Sequence, residues 1–238
     1  MNESVQYKEW DSKFFGIKTG DLIAAGDEPF LLNKISAAKK AGYELLYWKI
    51  SSGDNKALAI AKQLRFFFDT KITYTINTNS RNIQLEKDII KTYTDEPSRQ
   101  LIKLAIQAGA CSRFKLDTHF KPDAYEKMYT VWIKRSTSGQ LATDVFTIET
   151  GAVIKAFITF IKRGDKAEIG LIAVDEKFRV KGYGKKLTEF IIDHSFNLGC
   201  RELSVITQIQ NEPACRLYES CGFNITKKEF IFHIWLNG

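Results

Sequence analysis

Short apolar segments alternate with amphipathic ones along the 238 residues of the chain. Runs rich in aromatic and branched side chains predict strands at 43–51, 66–76, 88–94, 142–150, 152–161, 166–174, 202–210 and 224–236. Apolar residues at helical spacing predict helices at 29–40, 56–64, 98–109, 123–137, 186–198 and 211–222. Residues 4–24 are predicted as strands around a turn at Gly16. Alternating strands and helices are typical of an α/β protein.

The polar, turn-rich segment 77–82 predicts a domain boundary. We therefore expect one domain over residues 1–80 and a second over residues 81–238. Residues 45–76 resemble residues 202–234 when shifted by 157 positions, and both patterns are strand, capped helix and strand. The first domain can thus be a degenerate copy of part of the second. Two unrelated βαβ units with similar apolar patterning remain the alternative.

A glycine-bearing turn joins the strand at 169–174 to the helix that follows it. Its sequence, Arg179-Val-Lys-Gly182-Tyr-Gly184, places cations and two glycines where a helix opens. The first turn of a helix has free backbone N–H groups and a partial positive charge, so this arrangement suits an anion such as a diphosphate. A basic turn that binds nothing is the alternative. The G-x-G-x-x-G pattern of a dinucleotide-binding fold is absent.

This turn resembles the acyl-CoA loop, Arg-x-x-Gly-x-Gly, of the GCN5-related N-acetyltransferases (GNAT). A second motif, Asn211-x-x-Ala214-x-x-Leu217-Tyr218-x-x-x-Gly222-Phe223, resembles the same superfamily, and the resemblance covers about residues 85–238. It implies an α/β GNAT fold with a mixed, splayed central sheet, preceded by a smaller degenerate GNAT-like α/β domain. It also implies acetyl-CoA as co-substrate, contacted by Ile172, Ala173, Val174, Arg179, Val180, Lys181, Gly182, Tyr183, Gly184, Lys185, Asn211 and Ala214.

Further segments extend the resemblance along nearly the whole chain. WDSKFFG near the start, YTVWIKRS, TQIQNEPACRLYESCGF and the final FIFHIWL are similar to nucleotide-sugar N-acetyltransferases, a group that includes the dTDP-fucosamine acetyltransferases. That similarity implies transfer of acetyl to the amine of a dTDP-linked amino-dideoxy sugar, with Arg113, Phe114, Phe120 and Gln208 near the acceptor. Ordinary packing of the 111–122 loop is the alternative for those residues. For the whole protein, the alternatives are a GNAT enzyme for another amine or a non-catalytic acyl-CoA-binding protein.

The implied reaction is direct attack of an amine on a thioester, without an acyl-enzyme. A backbone N–H near Ala173 is expected to stabilise the negative charge on the carbonyl oxygen. The resemblance makes Tyr218 the general acid for the departing thiolate; a core tyrosine is the alternative. Many related enzymes carry a glutamate at the position of Gly170, so we expect no dedicated base here. We expect Glu149 and Glu168 to be solvated strand residues.

Charge and cysteine content limit the partners, metal sites and cellular compartment that we expect for this protein. The net charge is +7, but the basic residues are dispersed, which disfavours a nucleic-acid partner. The four cysteines and three histidines show no zinc spacing, so we expect no metal and free thiols. No signal peptide or long apolar segment is evident, so we expect a cytoplasmic protein without membrane contact. The aromatic C-terminal strand would allow a homodimer.

Overall fold

The computed structural model describes residues 5–23, 27–78 and 89–236. It divides into two compact units: one contains the chain up to Lys71 together with the chain from Lys228 onward, and the other runs from Ile72 to Lys227. None of the helices within the described ranges is long and apolar enough to cross a bilayer.

The first unit begins with three short elements: β1 (Val5–Tyr7), α1 (Glu9–Phe15) and β2 (Thr19–Leu22). They are followed by α2 (Glu28–Lys40), β3 (Leu45–Ser51), α3 (Asn55–Gln63) and the start of β4 (Phe67–Asn77). Strand β2 pairs antiparallel with β1 and parallel with β3. Strand β3 also pairs antiparallel with residues 229–235 at the end of β10 (Asn224–Trp235).

Helix α1 corrects the prediction that residues 4–24 form only strands. Gly16 has a left-handed conformation with φ of 70°, and its N–H bonds to the carbonyl of Ser12, so it ends a helix instead of turning a hairpin. Trp10 and Phe14, one helical turn apart, stack with ring centroids 4.9 Å apart. The mixed aromatic and charged pattern is therefore a short helix between two strands.

The second unit contains β5 (Ile90–Thr92), α4 (Arg99–Ala108), α5 (Arg113–Leu116), α6 (Ala124–Thr137), β6 (Asp144–Thr150), β7 (Val153–Arg163) and β8 (Lys166–Val174). It continues with α7 (Tyr183–Asn197), β9 (Glu202–Gln208) and α8 (Glu212–Ser220). Its strands lie in the order β4, β9, β8, β7, β6, β5. Strands β5 to β8 are antiparallel, and β8 and β9 are parallel. The predicted elements of this unit are present within a few residues, and α5 is an additional short helix in the 111–122 loop.

The predicted boundary between residues 80 and 81 falls outside the described ranges. Residues 79–88 lie outside the described part of the chain, so the boundary itself stays a prediction. Residues 72–77 of β4 belong to the second unit, where Thr75 and Thr226 share a hydroxyl hydrogen bond of 2.8 Å. The end of β10 belongs to the first unit because it pairs with β3. Strand pairing between distant segments, which local patterning cannot show, determines both assignments.

Two hydrophobic cores cover the faces of the second unit's sheet. Ile169, Ile172 and Val174 of β8 pack in the core that includes α7 and α8, whereas Leu171 and Ala173 pack in the core that includes α4 and α6. Strict alternation would place 169 and 172 on opposite faces. A β-bulge removes the conflict, since the register with β7 shifts by one residue between Ile158 and Phe160.

We predict that Gly109→Ala destabilises the protein by overpacking at the end of α4. A Cβ there would lie 2.3 Å from Cε2 of Tyr129, and the ring is part of a packed core. We expect the free energy of unfolding, measured in urea, to fall by about 1–3 kcal/mol. Gly53→Ala is the control, because a Cβ at Gly53 meets no atom within 4 Å. Equal stability of the two variants would contradict this packing.

Candidate active site

An open gap between β8 and β9 forms the centre of the site. The two strands pair only from Lys166 and Glu202 to Ile169 and Val205, although β8 continues to Val174 and β9 to Gln208. Beyond that point the strands part, which leaves the last residues of β8 as an edge with unpaired backbone groups. The splay that the GNAT resemblance implied is therefore present.

The hydrogen-bond pattern of β8 identifies the amides that face this gap. Asp175 donates its N–H to the carbonyl of Lys155 on the β7 side. Because amides alternate in direction along a strand, Ala173 also points toward β7, and the N–H groups of Ile172 and Val174 point into the gap. The amide that can meet a developing oxyanion is thus that of Ile172 or Val174, the two neighbours of Ala173.

The bulge explains the glycine at position 170. Thr159 lies opposite both Gly170 and Leu171, and its Oγ1 accepts the N–H of Leu171 at 2.7 Å. A Cβ at Gly170 would lie 2.7 Å from the same oxygen. Any side chain at this position would require that of Thr159 to shift, and the glycine itself supplies no carboxylate at this point.

The two glycines of the turn after β8 have different roles. Gly182 has a left-handed backbone with φ of 78° and forms the N-cap of α7, accepting the N–H of Lys186 at 2.9 Å. A Cβ at Gly184 would lie 3.3 Å from Cδ2 of Leu217, so this glycine lets α7 approach α8. The N–H groups of the first turn of α7 have no partner within the helix. The turn thus presents an anion-binding surface with several full positive charges nearby.

Val180 gives this turn its conformational strain. Its φ is 62°, a region that β-branched residues rarely adopt, and its side chain is fully exposed. Arg179 closes the turn by donating Nε–H to the carbonyl of Val174 at 3.3 Å. Backbone strain concentrates at functional sites, because there the surrounding structure imposes an unfavourable conformation.

A single cleft of about 650 Å³ runs through these elements. It is lined by eleven of the twelve residues that the resemblance assigned to acetyl-CoA: Ile172, Ala173, Val174, Arg179, Val180, Gly182, Tyr183, Gly184, Lys185, Asn211 and Ala214. Lys181 is not among the lining residues; its Nζ lies 5.6 Å from the centre of the Phe178 ring. Pro213 and Leu217 complete the α8 wall.

Helix α4 forms a wall of the cleft that was not predicted from the sequence. Gln107, Ala108, Ala110 and Cys111 line the cleft from the end of this helix and the turn after it. The prediction placed the acceptor substrate beside the loop that follows, residues 111–122. The available signal was Gln107, a polar residue one helical turn after the buried Leu104.

Asn211 stands at the N-cap position of α8, yet its side chain makes no capping hydrogen bond. Its Nδ2 instead donates to Oγ1 of Thr207 at 3.3 Å. Asn211 therefore lines the cleft without capping the helix through its side chain.

Tyr218 lies on α8, four residues after Ala214, and is 2% exposed. Its ring packs 5.7 Å from that of Tyr74 and 5.9 Å from that of Phe223, and it is not among the cleft-lining residues. Burial and the neighbouring Cys215 raise the pKa of the Tyr218 hydroxyl above its ordinary value. The hydroxyl is therefore protonated at neutral pH and can act as a hydrogen-bond donor.

The predicted acceptor residues do not line the cleft. Phe114 and Phe120 are 8% and 6% exposed and pack edge to face with ring centroids 5.5 Å apart. The guanidinium carbon of Arg113 lies 4.4 Å from the centre of the Phe114 ring. Gln208 uses its backbone carbonyl to accept the N–H of Asn211. The structure thus groups the first three residues in one packed loop.

The same loop contains a pair that the sequence did not indicate. The buried carboxylate of Asp117 lies 2.8 Å from Nδ1 of His119 and also accepts the backbone N–H of His119. This pairing is visible only in the folded structure, where the side chain of His119 is 60% exposed. It holds the turn between α5 and α6. Across the described ranges, no cluster of three or more His, Cys, Asp or Glu side chains could hold a metal ion.

We predict that Val180→Gly stabilises the protein. Glycine adopts a positive φ without steric cost, and no packing is lost because the valine side chain is exposed. We expect the free energy of unfolding to rise by about 1 kcal/mol in urea denaturation. Lys181→Gly is the control: its backbone has no positive φ, so glycine there should lower stability by about 0.5–1 kcal/mol. A loss of stability in both variants would show that Val180 is unstrained.

Sequence comparison with known proteins points to an acetyltransferase family. Residues 110–223 match the acetyltransferase (GNAT) family model. The chain is 24% identical to a dTDP-fucosamine acetyltransferase from Escherichia coli O6:H1, over 94% of this chain and 95% of that protein. It is 27% identical to the spore coat polysaccharide biosynthesis protein SpsD of Bacillus subtilis, over 57% of this chain but only 46% of SpsD.

The fold has counterparts among solved structures. A GCN5-related N-acetyltransferase from Sphaerobacter thermophilus superposes with a TM-score of 0.62 at 13% identity, covering 93% of this chain and 73% of that one. At this identity the likeness concerns the fold alone. Together with the parted strands and the glycine turn, the family match leads to one conclusion. Residues 110–223 form a domain of the acetyltransferase (GNAT) family.

Proposed function

We propose that the protein is an N-acetyltransferase that moves the acetyl group of acetyl-CoA directly to the amine of a dTDP-linked amino-dideoxy sugar. The observation that carries the reaction class is the cleft at the parted strands, which ends at the glycine turn. The sugar class is supported by the relative that matches 94% of this chain, a dTDP-fucosamine acetyltransferase.

The turn fits the pyrophosphate of coenzyme A on three grounds. The first-turn amides of α7 point outward from its N-terminus, where the helix dipole favours negative charge. Gly182 and Val180 both have positive φ, a conformation that forms concave anion-binding backbone. Arg179 and Lys185 line the cleft and add full charges. The pantetheine arm, which carries amide groups, would pair with the exposed edge of β8 as an added strand does.

Acetyl transfer requires stabilisation of the negative charge that develops on the carbonyl oxygen and on the departing sulfur. The amine nitrogen forms a bond to the thioester carbon, and the carbonyl oxygen gains negative charge. An N–H of Ile172 or Val174, facing the gap, is suited to donate to that oxygen. The C–S bond then breaks, and Tyr218 supplies a hydrogen bond or proton to the departing thiolate. The amine loses its proton to water, because Gly170 leaves no carboxylate at the bulge.

Tyr218 can reach this role only through its hydroxyl, because its ring is buried in the core. The raised pKa keeps the proton on the oxygen, as a general acid requires. The thiolate has a reference pKa of about 8.5, so complete proton transfer from a buried tyrosine is uphill. The hydroxyl therefore acts mainly as a hydrogen-bond donor while negative charge develops on sulfur.

We predict that Tyr218→Phe keeps the fold and lowers kcat by about 100-fold or more, the usual contribution of a positioned acid. Turnover is measured by thiol release, and folding by thermal unfolding. Tyr74→Phe is the matched control, because it removes a buried hydroxyl that donates to Glu219 at 2.7 Å. We expect that variant to keep kcat within about threefold. A Tyr218→Phe enzyme with near-normal turnover would remove the residue from the mechanism.

The raised pKa also predicts the pH profile. A group with a raised pKa stays protonated through its ordinary range, so the hydroxyl of Tyr218 remains a donor above pH 10. In the wild-type enzyme, kcat should increase with pH as the acceptor amine loses its proton and then stay level up to pH 10. A decline between pH 9 and 10 that disappears in Tyr218→Phe would contradict this assignment.

An acceptor panel tests the substrate. We expect acetylation of dTDP-4-amino-4,6-dideoxygalactose with kcat/KM at least about 100-fold above that for a peptide N-terminus, spermidine or glucosamine 6-phosphate, because a site built for polar recognition rejects ligands that leave its groups unpaired. Preference for one of the other amines would keep the enzyme class and overturn the sugar. Acetyl-CoA binding without turnover of any amine would indicate a non-catalytic acyl-CoA-binding protein.

A further inference from the structure

Thr159 is a buried polar residue in an otherwise apolar stretch of β7. Its neighbours Phe157, Ile158 and Phe160 belong to the two hydrophobic cores of the second unit, and its own side chain is 1% exposed. A buried hydroxyl lowers stability unless it is hydrogen-bonded, so an apolar β-branched residue would serve packing alone at least as well. The hydroxyl at this position therefore needs a reason beyond filling space.

The hydroxyl contacts the bulged part of β8. Gly170 and Leu171 are the two residues of β8 that face Thr159 between the regular pairs on either side. Oγ1 of Thr159 accepts the N–H of Leu171 at 2.7 Å. Gly170 permits this close approach, since a Cβ there would lie 2.7 Å from the same oxygen. The hydroxyl and the glycine thus belong together on facing strands, at the residue where the pairing is irregular.

The direction of the Leu171 N–H determines where the following amides point. N–H groups alternate along a strand, so an N–H of Leu171 that points to β7 leaves those of Ile172 and Val174 facing the gap. The N–H of Asp175, which also points to β7, follows the same alternation. If the bulge moved toward Val174, the N–H of Ile172 would turn to β7 and that of Leu171 would face the gap.

We propose that the Thr159 hydroxyl is a positioning group for acetyl transfer, because it keeps the bulge where an N–H of Ile172 or Val174 meets the thioester oxygen. This inference rests on the proposed acetyl transfer and adds to it a residue that does not line the cleft. Thr159 acts through the backbone of β8. By fixing that backbone, the hydroxyl keeps the donor oriented before negative charge develops on the oxygen.

The test removes the hydroxyl in one variant and keeps it in another. Thr159→Val replaces the hydroxyl with a methyl group, whereas Thr159→Ser keeps the hydroxyl and removes the methyl group. Thr159→Cys, whose sulfur is a weak acceptor, takes the place of the valine variant if that variant does not fold. The matched control is Thr147→Val, which removes a buried hydroxyl from β6, a strand that β7 separates from β8.

The measurements separate the direction of the amides from the stability of the fold. Infrared difference spectra of bound acetyl-CoA, labelled at the carbonyl carbon, report a C=O stretching frequency that a hydrogen bond to the oxygen lowers. Calorimetry gives the Kd of coenzyme A. The kcat is measured with the amine of the panel that the wild type acetylates best, and stability is measured by thermal unfolding of the unliganded protein.

We expect Thr159→Val to lower kcat by at least about 10-fold, a part of the effect of losing an oxyanion donor outright. The carbonyl frequency of bound acetyl-CoA should move toward its value in solution. The Kd of coenzyme A should weaken by less than about threefold, because the glycine turn is unchanged. Thr159→Ser should restore the wild-type frequency and keep kcat within about threefold. Thr147→Val should match the wild type in kcat and in frequency.

A wild-type kcat and carbonyl frequency in Thr159→Val would overturn the proposal. Equal losses of kcat in the valine and serine variants would do the same, since the methyl group and not the hydroxyl would then matter. A loss of coenzyme A affinity as large as the loss of kcat would assign Thr159 to the shape of the whole cofactor site. A wild-type protein that shows no shift of the carbonyl frequency and acetylates no amine would instead fail the proposed function, and the role of Thr159 with it.

Discussion

The departure of β8 from β9 is the constraint on which the rest of the second unit depends. Four residue pairs join the strands, from Lys166 and Glu202 to Ile169 and Val205, and then the ladder stops. Parallel strands that part leave backbone N–H and C=O groups without partners, a state that folded proteins avoid unless a ligand or water compensates. The cleft at this gap is therefore a direct consequence of the incomplete pairing.

The bulge at Gly170 and Leu171 determines which backbone amides face the gap. The bulge interrupts the alternation of side chains along β8. As a result Ile169 packs on the same face as Ile172 and Val174, although three residues separate it from Ile172. The same shift aims the amides of Ile172 and Val174 into the gap while Ala173 stays bonded toward β7. Thr159 holds the bulge through its hydroxyl, whose oxygen would lie 2.7 Å from a Cβ at position 170. One local irregularity thus sets the direction of the amides that face the gap.

Two residues of the cleft have features that lower the stability of the folded protein. Val180 adopts a conformation that favours glycine, and Gln107 buries an oxygen without a donor. Both residues line the cleft. Tyr218 is different, because its side chain belongs to the hydrophobic core that includes α7 and α8. The site therefore combines a well-packed core with a strained backbone at the exposed Val180.

Local patterning in the sequence determined the element order and the glycine turn, because these lie on contiguous strand, turn and helix segments. The assignment of residues to acetyl-CoA came from the resemblance to the GNAT superfamily, and eleven of those twelve residues line the cleft. It mistook α1 for a strand, since seven residues are too few to establish helical periodicity. Only the tertiary structure decided that β4 and β10 divide between the two units, that the amides facing the gap are those of Ile172 and Val174, and that α4 forms the opposite wall. Each of these depends on pairing or packing between segments far apart in the chain, and the spacing of residues along one segment carries no record of its partner.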